Sequence, residues 1–210
     1  KRERLAISAQ NKPTLSDVYN SYYADFMETF SSTAIPDYLP HTFFIEGGAL
    51  GVENALKVAF DWKVRKNMSK GKREKGSKII HFNQAFHGRT GYTLSLTNTT
   101  DPRKTMYFPK FDWPRIINPT LSFPITDYVL EEVEKNEKLA VDQIKKAITD
   151  NLDDIAALII EPIQGEGGDN HFRDEFFTAL RQLCDENEMM YILDEVQTGI
   201  GITGNWWAHQ

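Results

Sequence analysis

Six consecutive apolar residues, Ile155–Ile160, constrain the fold of this chain more than any other feature of its sequence. A run of this length that is apolar on both faces is typical of a central strand in a parallel sheet. A second apolar run, Met190–Leu193, follows a segment with helical spacing. Both runs end directly at carboxylates, Glu161 and Asp194. In open α/β sheets ligands bind beyond the carboxyl ends of the strands, so these two residues mark the predicted functional edge.

Helices and strands are predicted to alternate along the remaining sequence. Helical spacing of apolar residues begins near Ser16, a plausible helix cap, and again after Gly47–Gly48. Further helices are predicted over 128–151, in two pieces, and over 174–186, and further strands over 42–45 and 78–82. This alternation predicts an α/β fold with a mostly parallel sheet and flanking helices.

The composition excludes several classes of protein. A chain of 210 residues with 40% hydrophobic content can bury a substantial core. No apolar run approaches the roughly 20 residues that cross a bilayer. The formal net charge of −6 disfavours a nucleic-acid partner. Cys184 is the only cysteine, so no intrachain disulfide can form, and its helical spacing predicts a buried, inert thiol.

The glycine turn Gly47–Gly48 is the first candidate binding site. It opens a predicted helix, where free backbone amides and the positive end of the helix dipole favour an anion such as a phosphate. The spacing of Gly47, Gly48 and Gly51 matches neither a Walker loop nor a dinucleotide-binding loop. A glycine turn that is required only by packing is the alternative.

Asp194 is the second candidate, because an unpaired charge at a partly dry sheet edge is costly. A metal is one possible partner, although the sequence contains no His-x-x-x-His or Cys-x-x-Cys pair. A protonated heterocycle is another, since a carboxylate on a pyridine nitrogen keeps it protonated and strengthens the ring as an electron sink. An aspartate that only caps a turn is the third.

The loop after the predicted strand 78–82 carries two more candidates. Phe86 lies beside a glycine-bearing segment and could offer a flat face to a ring, although core packing is the better explanation of a phenylalanine taken alone. Arg89 has a planar fork that suits a carboxylate, although many arginines lie on the surface without a ligand. Neither residue identifies a function alone.

Taken together, these motifs resemble the class III aminotransferases, fold type I enzymes that use pyridoxal phosphate. The resemblance rests on residues 161–168 and 194–199 and on the aromatic-His-Gly loop from Phe86 to Arg89, and it covers nearly the whole chain. Within the class, residues 46–57 and 108–115 are most similar to lysine 6-aminotransferases. Residues 111–114 and 167–171 are also similar to eukaryotic-type 4-aminobutyrate aminotransferases.

The resemblance implies a role for each candidate residue. Gly48 and Ala49 match the phosphate-binding turn, and Phe86, with His87 beside it in the loop, matches the aromatic residue that stacks on the cofactor ring. Asp194 matches the residue that meets the pyridine nitrogen, and Glu161 matches a motif carboxylate close to the cofactor. Val196 matches the residue on the other face of the ring, and Gln197 matches the neighbour of its phenolic oxygen. Arg89 matches the residue that meets the substrate α-carboxylate. Glu166 matches a switch glutamate, which pairs with a second arginine when the amine donor is bound.

The implied activity is transfer of the ε-amino group of L-lysine to 2-oxoglutarate, giving 2-aminoadipate 6-semialdehyde and glutamate. A homodimeric cytoplasmic enzyme is expected. The alternatives are an ω-aminotransferase that acts on 4-aminobutyrate or ornithine, and a catalytically inactive fragment. The family's Schiff-base lysine and second arginine are expected beyond Gln210. Residues 1–210 are accordingly expected to form an incomplete large cofactor-binding domain, without the N-terminal segment, the rest of the large domain and the small domain.

Overall fold

A computed structural model describes residues 1–3, 6–7 and 21–210, which divide into two compact units, Lys1–Phe44 and Ile45–Gln210. The first unit contains helix α1, Ser21–Thr33, none of whose residues is buried. The predicted helix start at Ser16 lies outside the described residues. α1 contributes Phe26 and Phe30 to an aromatic cluster, in which Phe26 and Phe44 have ring centroids 5.5 Å apart.

The prediction of a strand over 42–45 is wrong, since these residues form no strand. Phe44 instead packs its ring against Tyr23, Phe26 and Phe30 within the first unit. Phe43 and Ile45 are exposed. A short apolar run forms a strand only where a neighbouring strand is available to pair with it, and a run of four residues does not carry that information.

The second unit contains all the strands that the structure describes. Its elements in chain order are α2 (Gly48–Ser69), β1 (Lys78–Phe82), α3 (Thr93–Leu96), a 3-10 turn (Pro102–Lys104), β2 (Arg115–Ile116), α4 (Asp127–Asp150), β3 (Ile155–Ile160), α5 (Asp174–Glu186) and β4 (Met190–Leu193). The predicted strands over 78–82, 155–160 and 190–193 and the helix over 174–186 are confirmed.

The prediction that 128–151 forms two helices is wrong, because α4 is continuous. Its buried residues recur at alternating steps of four and three, which places them on one stripe of a single helix: Val133, Glu137, Ala140, Ile144 and Ala147. The helix begins after Thr126, whose side-chain oxygen accepts a hydrogen bond from Val129 N. Because this buried stripe is uninterrupted, the charged segment forms one continuous helix.

The strands form a parallel sheet in the order β2-β1-β3-β4. β3 is central and all six of its residues are buried, as predicted from its apolar run. Ile80 of β1 pairs with Leu158, and Ile159 pairs with Ile192 of β4. The two-residue edge strand β2 was not predicted, because Arg115–Ile116 lies in a loop rich in proline and aromatic residues.

Helices cover both faces of the sheet. Val52, Leu56 and Ala59 of α2 pack against one face, in a core cluster that includes Ile79 and Ile159. α4 and α5 pack against the other face, and Phe176 and Leu180 of α5 are completely or almost completely buried there. Cys184 is buried in the same cluster, as predicted, and burial raises the pKa of its thiol to about 12. In the part of the chain that the structure describes, no helix is both long and apolar enough to cross a membrane.

Candidate active site

The carboxyl ends of β1, β3 and β4 bring three of the predicted motifs together. The loop after β1 lies between the other two, because Phe86 N donates a hydrogen bond to Glu161 Oε1 at 2.8 Å. The next residue, His87, places its Nδ1 2.7 Å from Asp194 Oδ2. One short loop is thus tied to the first residue after β3 and to the first residue after β4.

Asp194 is buried and has two hydrogen-bond partners. Its Oδ1 accepts a hydrogen bond from Val196 N at 3.1 Å, which is the turn-capping contact, and its Oδ2 faces His87 Nδ1. Since a carboxylate only accepts, the proton in the second bond belongs to His87 Nδ1. His87 Nε2 is buried and has no hydrogen-bond partner among the described residues. One carboxylate oxygen of Asp194 therefore caps the turn after β4, and the other is held in place by the buried imidazole of His87.

Glu161 is a buried carboxyl beside this pair. The pKa of Glu161 is raised to about 7, chiefly by burial, and the nearby charges of Asp194 and Glu166 act in the same direction. The charge of His87 and the hydrogen bond from Phe86 N act in the opposite direction and lower it. Because this pKa lies near neutrality, Glu161 can exchange a proton at physiological pH.

The start of α2 lies against the turn after β4. A Cβ atom at Gly48 would lie 2.5 Å from Val196 Cγ1, so a glycine is needed for this approach. A Cβ atom at Gly88 would lie 2.5 Å from the Cβ of Ala49, which brings the loop after β1 to the same place. The amides of Gly48 and Ala49 precede those of Leu50 and Gly51, which bond to Gly47 O. Packing thus explains the glycine at 48, and it places the start of α2 beside the turn after β4 and the loop after β1.

The loop after β3 carries Glu166 on a tight turn. Gln164 and Asn170 exchange two backbone hydrogen bonds at the base of this turn, of 3.1 and 3.2 Å. Glu166 Oε1 accepts hydrogen bonds from Lys104 Nζ at 2.5 Å and from Thr99 Oγ1 at 3.3 Å. The bond from Lys104 is the main reason that the pKa of Glu166 is lowered, and the charge of Arg89 contributes to the same shift.

Arg89 and Gln197 are the remaining predicted residues, and both are exposed. A Cβ atom at Gly165 would lie 3.0 Å from Gln197 Cγ, so this side chain borders the turn that carries Glu166. Arg89 is close enough to Glu166 to affect its pKa. The structure therefore groups all the predicted residues around one edge of the sheet.

Sequence reasoning missed two residues that organise this edge. Glu53 of α2 is buried, and its Oε1 accepts hydrogen bonds from Thr90 Oγ1 at 2.6 Å and Tyr92 N at 2.7 Å. It precedes the buried Leu56 by three residues, so its place on the inner stripe of the helix was a usable signal. Lys104 is the other, and its contact with Glu166 has no signal in the local sequence.

A cleft of about 850 Å³ lies elsewhere, along the β2 edge of the sheet. Residues of β2 and α4 line it, among them Arg115, Gln143 and Lys146, and the predicted site residues do not. Ligands of parallel sheets bind at the carboxyl ends of the strands, and the buried Glu161, His87 and Asp194 are together at that edge. We therefore assign the candidate site to the carboxyl edge.

Comparison with known proteins identifies relatives over nearly the whole chain. The family Aminotransferase class-III matches residues 6–210. An L-lysine-epsilon aminotransferase of Mycobacterium tuberculosis is 52% identical over 98% of this chain, which corresponds to 45% of that relative. A 4-aminobutyrate aminotransferase of Emericella nidulans is 33% identical over 98% of this chain and 44% of that relative.

A solved structure of the lysine aminotransferase from M. tuberculosis, in its internal aldimine form, superposes with a TM-score of 0.93. It is 51% identical, and the match covers 100% of this chain and 47% of that one. The chain thus spans about half the length of the relatives it matches.

Proposed function

This chain belongs to the class III aminotransferases, and from that premise we propose that the full-length enzyme transfers the ε-amino group of L-lysine to 2-oxoglutarate. The products are 2-aminoadipate 6-semialdehyde and glutamate. The observation that carries the choice of donor is the difference in identity, 52% to a lysine aminotransferase against 33% to a 4-aminobutyrate aminotransferase, over the same share of the chain. A homodimer in the cytoplasm is part of the proposal.

The residues at the carboxyl edge fit pyridoxal phosphate as the cofactor. Asp194 is buried and already oriented by His87, Phe86 is half-buried, and Val196 exposes 64% of an apolar side chain beside Gly48. A ring with a protonated nitrogen and a phosphate tail needs a buried carboxylate, apolar faces and a helix start. When bound, pyridoxal phosphate supplies an electron sink for the bonds at the reacting carbon.

Each residue then has a defined task. The amides of Gly48 and Ala49 would bind the phosphate, Phe86 and Val196 would hold the ring between them, and Gln197 would lie near its phenolic oxygen. Asp194 would keep the proton on the ring nitrogen, and His87 holds Asp194 in place. Glu161 fixes the backbone of Phe86 and holds a proton close to the ring, because its pKa is about 7.

The substrate residues are Arg89 and Glu166. Arg89 carries a planar fork for the α-carboxylate of lysine, which lies at the far end of this donor from the reacting amine. The acceptor, 2-oxoglutarate, has a carboxylate beside its keto group, and a second arginine, supplied by the rest of the enzyme, binds that carboxylate. This arginine must be free when 2-oxoglutarate is bound and neutralised when L-lysine is bound. Glu166 neutralises that arginine in the donor half-reaction and releases it in the acceptor half-reaction.

Steady-state assays of the full-length enzyme test the donor. With 2-oxoglutarate as acceptor, kcat/KM for L-lysine should exceed that for 4-aminobutyrate and for ornithine by about tenfold or more. 4-Aminobutyrate lacks the α-amino group of lysine, and ornithine is one methylene shorter, so its reacting amine is displaced when the α-carboxylate is bound. Glutamate and the semialdehyde should form in equal amounts. A higher kcat/KM for 4-aminobutyrate would make the enzyme a 4-aminobutyrate aminotransferase, the function favoured by its second group of relatives.

A further inference from the structure

Lys104 provides the only cation that contacts the carboxylate of Glu166 within 4 Å among the described residues. Its Nζ lies 2.5 Å from Glu166 Oε1 and 6.0 Å from the ring centroid of Phe86. The ammonium group is therefore next to the aromatic residue assigned to the cofactor ring, although the family resemblance assigns Lys104 no role.

Lys104 lies on a capped turn. Lys104 ends the 3-10 turn Pro102–Lys104, and Asp101 caps this turn by accepting a hydrogen bond from Arg103 N at 3.1 Å. Thr99 comes from the same segment and donates to the same oxygen of Glu166. Two donors on one capped segment thus form a prepared position for the carboxylate, and among the described residues no arginine lies within ion-pair distance of Glu166 in that position.

The pair is also exposed enough to exchange partners. The side chains of Lys104 and Glu166 are 34% and 40% exposed, and ion pairs of this exposure contribute little net stability, since water solvates both charges when they separate. A switch needs a partner of this kind, because a deeply buried pair would hold the carboxylate in every state of the enzyme.

We propose that Lys104 is a positioning residue that receives Glu166 when the acceptor is bound. The donor half-reaction requires Glu166 on the arginine near the reacting centre, and the acceptor half-reaction requires it elsewhere. Lys104 and Thr99 supply that second position. Lys104 thereby favours the acceptor half-reaction, and it determines how well the site takes a dicarboxylate keto acid. This inference rests on the proposed function.

Single-turnover measurements on the cofactor-loaded, full-length enzyme test the proposal. Lys104→Met should raise the concentration of 2-oxoglutarate that gives half the maximal rate by about tenfold, within the range of typical coupling between two states. The donor half-reaction with L-lysine should stay within about twofold, since Glu166 still reaches its arginine. Lys104→Arg should restore the acceptor half-reaction, because it keeps the cation.

Two further variants separate a positioning role from other roles. In a Glu166→Ala background, Lys104→Met should have no additional effect on the acceptor half-reaction, because the carboxylate that it holds is gone. Lys146→Met is the matched control, since Lys146 forms a pair with Asp150 of the same N–O distance, 2.5 Å, on α4. It should leave both half-reactions unchanged.

The outcomes distinguish this inference from the function on which it rests. A persistent loss in the Glu166→Ala background would mean that Lys104 binds the acceptor directly, and equal losses in both half-reactions would mean a structural role. Either result overturns the inference while the proposed function stands. A wild-type enzyme that does not react with L-lysine overturns the proposed function first.

Discussion

At the scale of single residues, Asp194 carries the largest expected effect on the chemical step. In the full-length enzyme, Asp194→Ala should lower the rate of the chemical step by on the order of 10²-fold, because it removes a preorganised charge worth a few kcal/mol. His87 would then lose its hydrogen-bond partner as well. Pre-steady-state absorbance of both half-reactions measures this rate. A near-normal rate would leave Asp194 with only its turn-capping contact to Val196 N.

The raised pKa of Glu161 predicts how the stability of the protein depends on pH. Its pKa is raised from 4.5 to about 7 in the folded protein, so between these values the folded state binds more protons than the unfolded state. The contribution of Glu161 to the free energy of unfolding is therefore present below about pH 4.5 and is lost as the pH rises toward 7. Glu161→Gln keeps a hydrogen-bond acceptor for Phe86 N and removes this dependence.

Denaturant titrations from pH 4.5 to 8 measure the difference between wild type and Glu161→Gln. The variant should gain roughly 1–3 kcal/mol relative to wild type over this range and then remain constant. Burial lowers the pKa of His81 to about 3, which gives a slope of opposite sign up to about pH 6.5 in both proteins. The contribution of His81 is the same in both proteins, so it cancels in the difference between their free energies of unfolding. If that difference did not change with pH, Glu161 would be ionised in the folded state over the whole range from pH 4.5 to 8.

The sequence predicted that the candidate site residues gather at the carboxyl edge of the sheet, and it did not predict which of them touch. Glu161, His87 and Asp194 follow strands, so their convergence is a consequence of a parallel sheet. The contacts of Glu166 with Lys104 and of Glu53 with Thr90 depend on how two loops approach each other. Local spacing contains no information on such approaches, and a polar residue on an inner helix stripe is the nearest available signal.

At the scale of elements, α4 and the start of α5 are joined by Arg173. Its Nη2 lies 2.7 Å from Glu137 Oε2, and its Nη1 lies 2.9 Å from Glu134 Oε1. The hydrogen bonds that Arg173 donates to Glu137 are the largest reason that the pKa of Arg173 is raised. The Glu137 side chain is 10% exposed and that of Glu134 is 59% exposed, so one guanidinium makes a buried pair and an exposed pair from the same helix.

This arrangement predicts two unequal losses of stability. Glu137→Ala should cost about 2–4 kcal/mol, because Arg173 keeps a largely buried charge without its main partner. Glu134→Ala should cost less than about 0.5 kcal/mol, since its pair is solvated. Urea unfolding of both variants measures the difference, and Glu134→Ala is the matched control on the same helix. Equal costs would contradict the assignment of the buried pair as the contact that matters.

Most elements that the sequence predicted correctly have a continuous apolar run or a clear apolar stripe. β3, β4 and α5 carry apolar residues at every position or on a clear stripe. The strand expected at 42–45 failed because no strand pairs with it, and β2 was missed because its two residues join the sheet only through β1. Whether such a short segment forms a strand depends on a pairing partner that is distant in sequence. The periodicity of a single sequence cannot identify that partner.

At the scale of the whole molecule, the alternation of strands and helices predicted the class of fold. The sheet order β2-β1-β3-β4, with α2 on one face and α4 and α5 on the other, is the arrangement that such alternation favours. The order itself did not follow from the sequence, since several parallel orders satisfy the same pattern. The division into two compact units was also not predicted, because composition does not change sharply near residue 44.

The strand order determines what the ribosome exposes during synthesis of this chain. β1 and β2 are translated early, yet the neighbour on the other side of β1 is β3, which follows the whole of α4. Until Ile155 has left the exit tunnel, one edge of β1 keeps unpaired amides and carbonyls beside apolar Ile79 and Ile80. A nascent chain that pauses within α4 is therefore expected to be prone to aggregation and to chaperone binding at this edge, until β3 has left the tunnel and paired with β1.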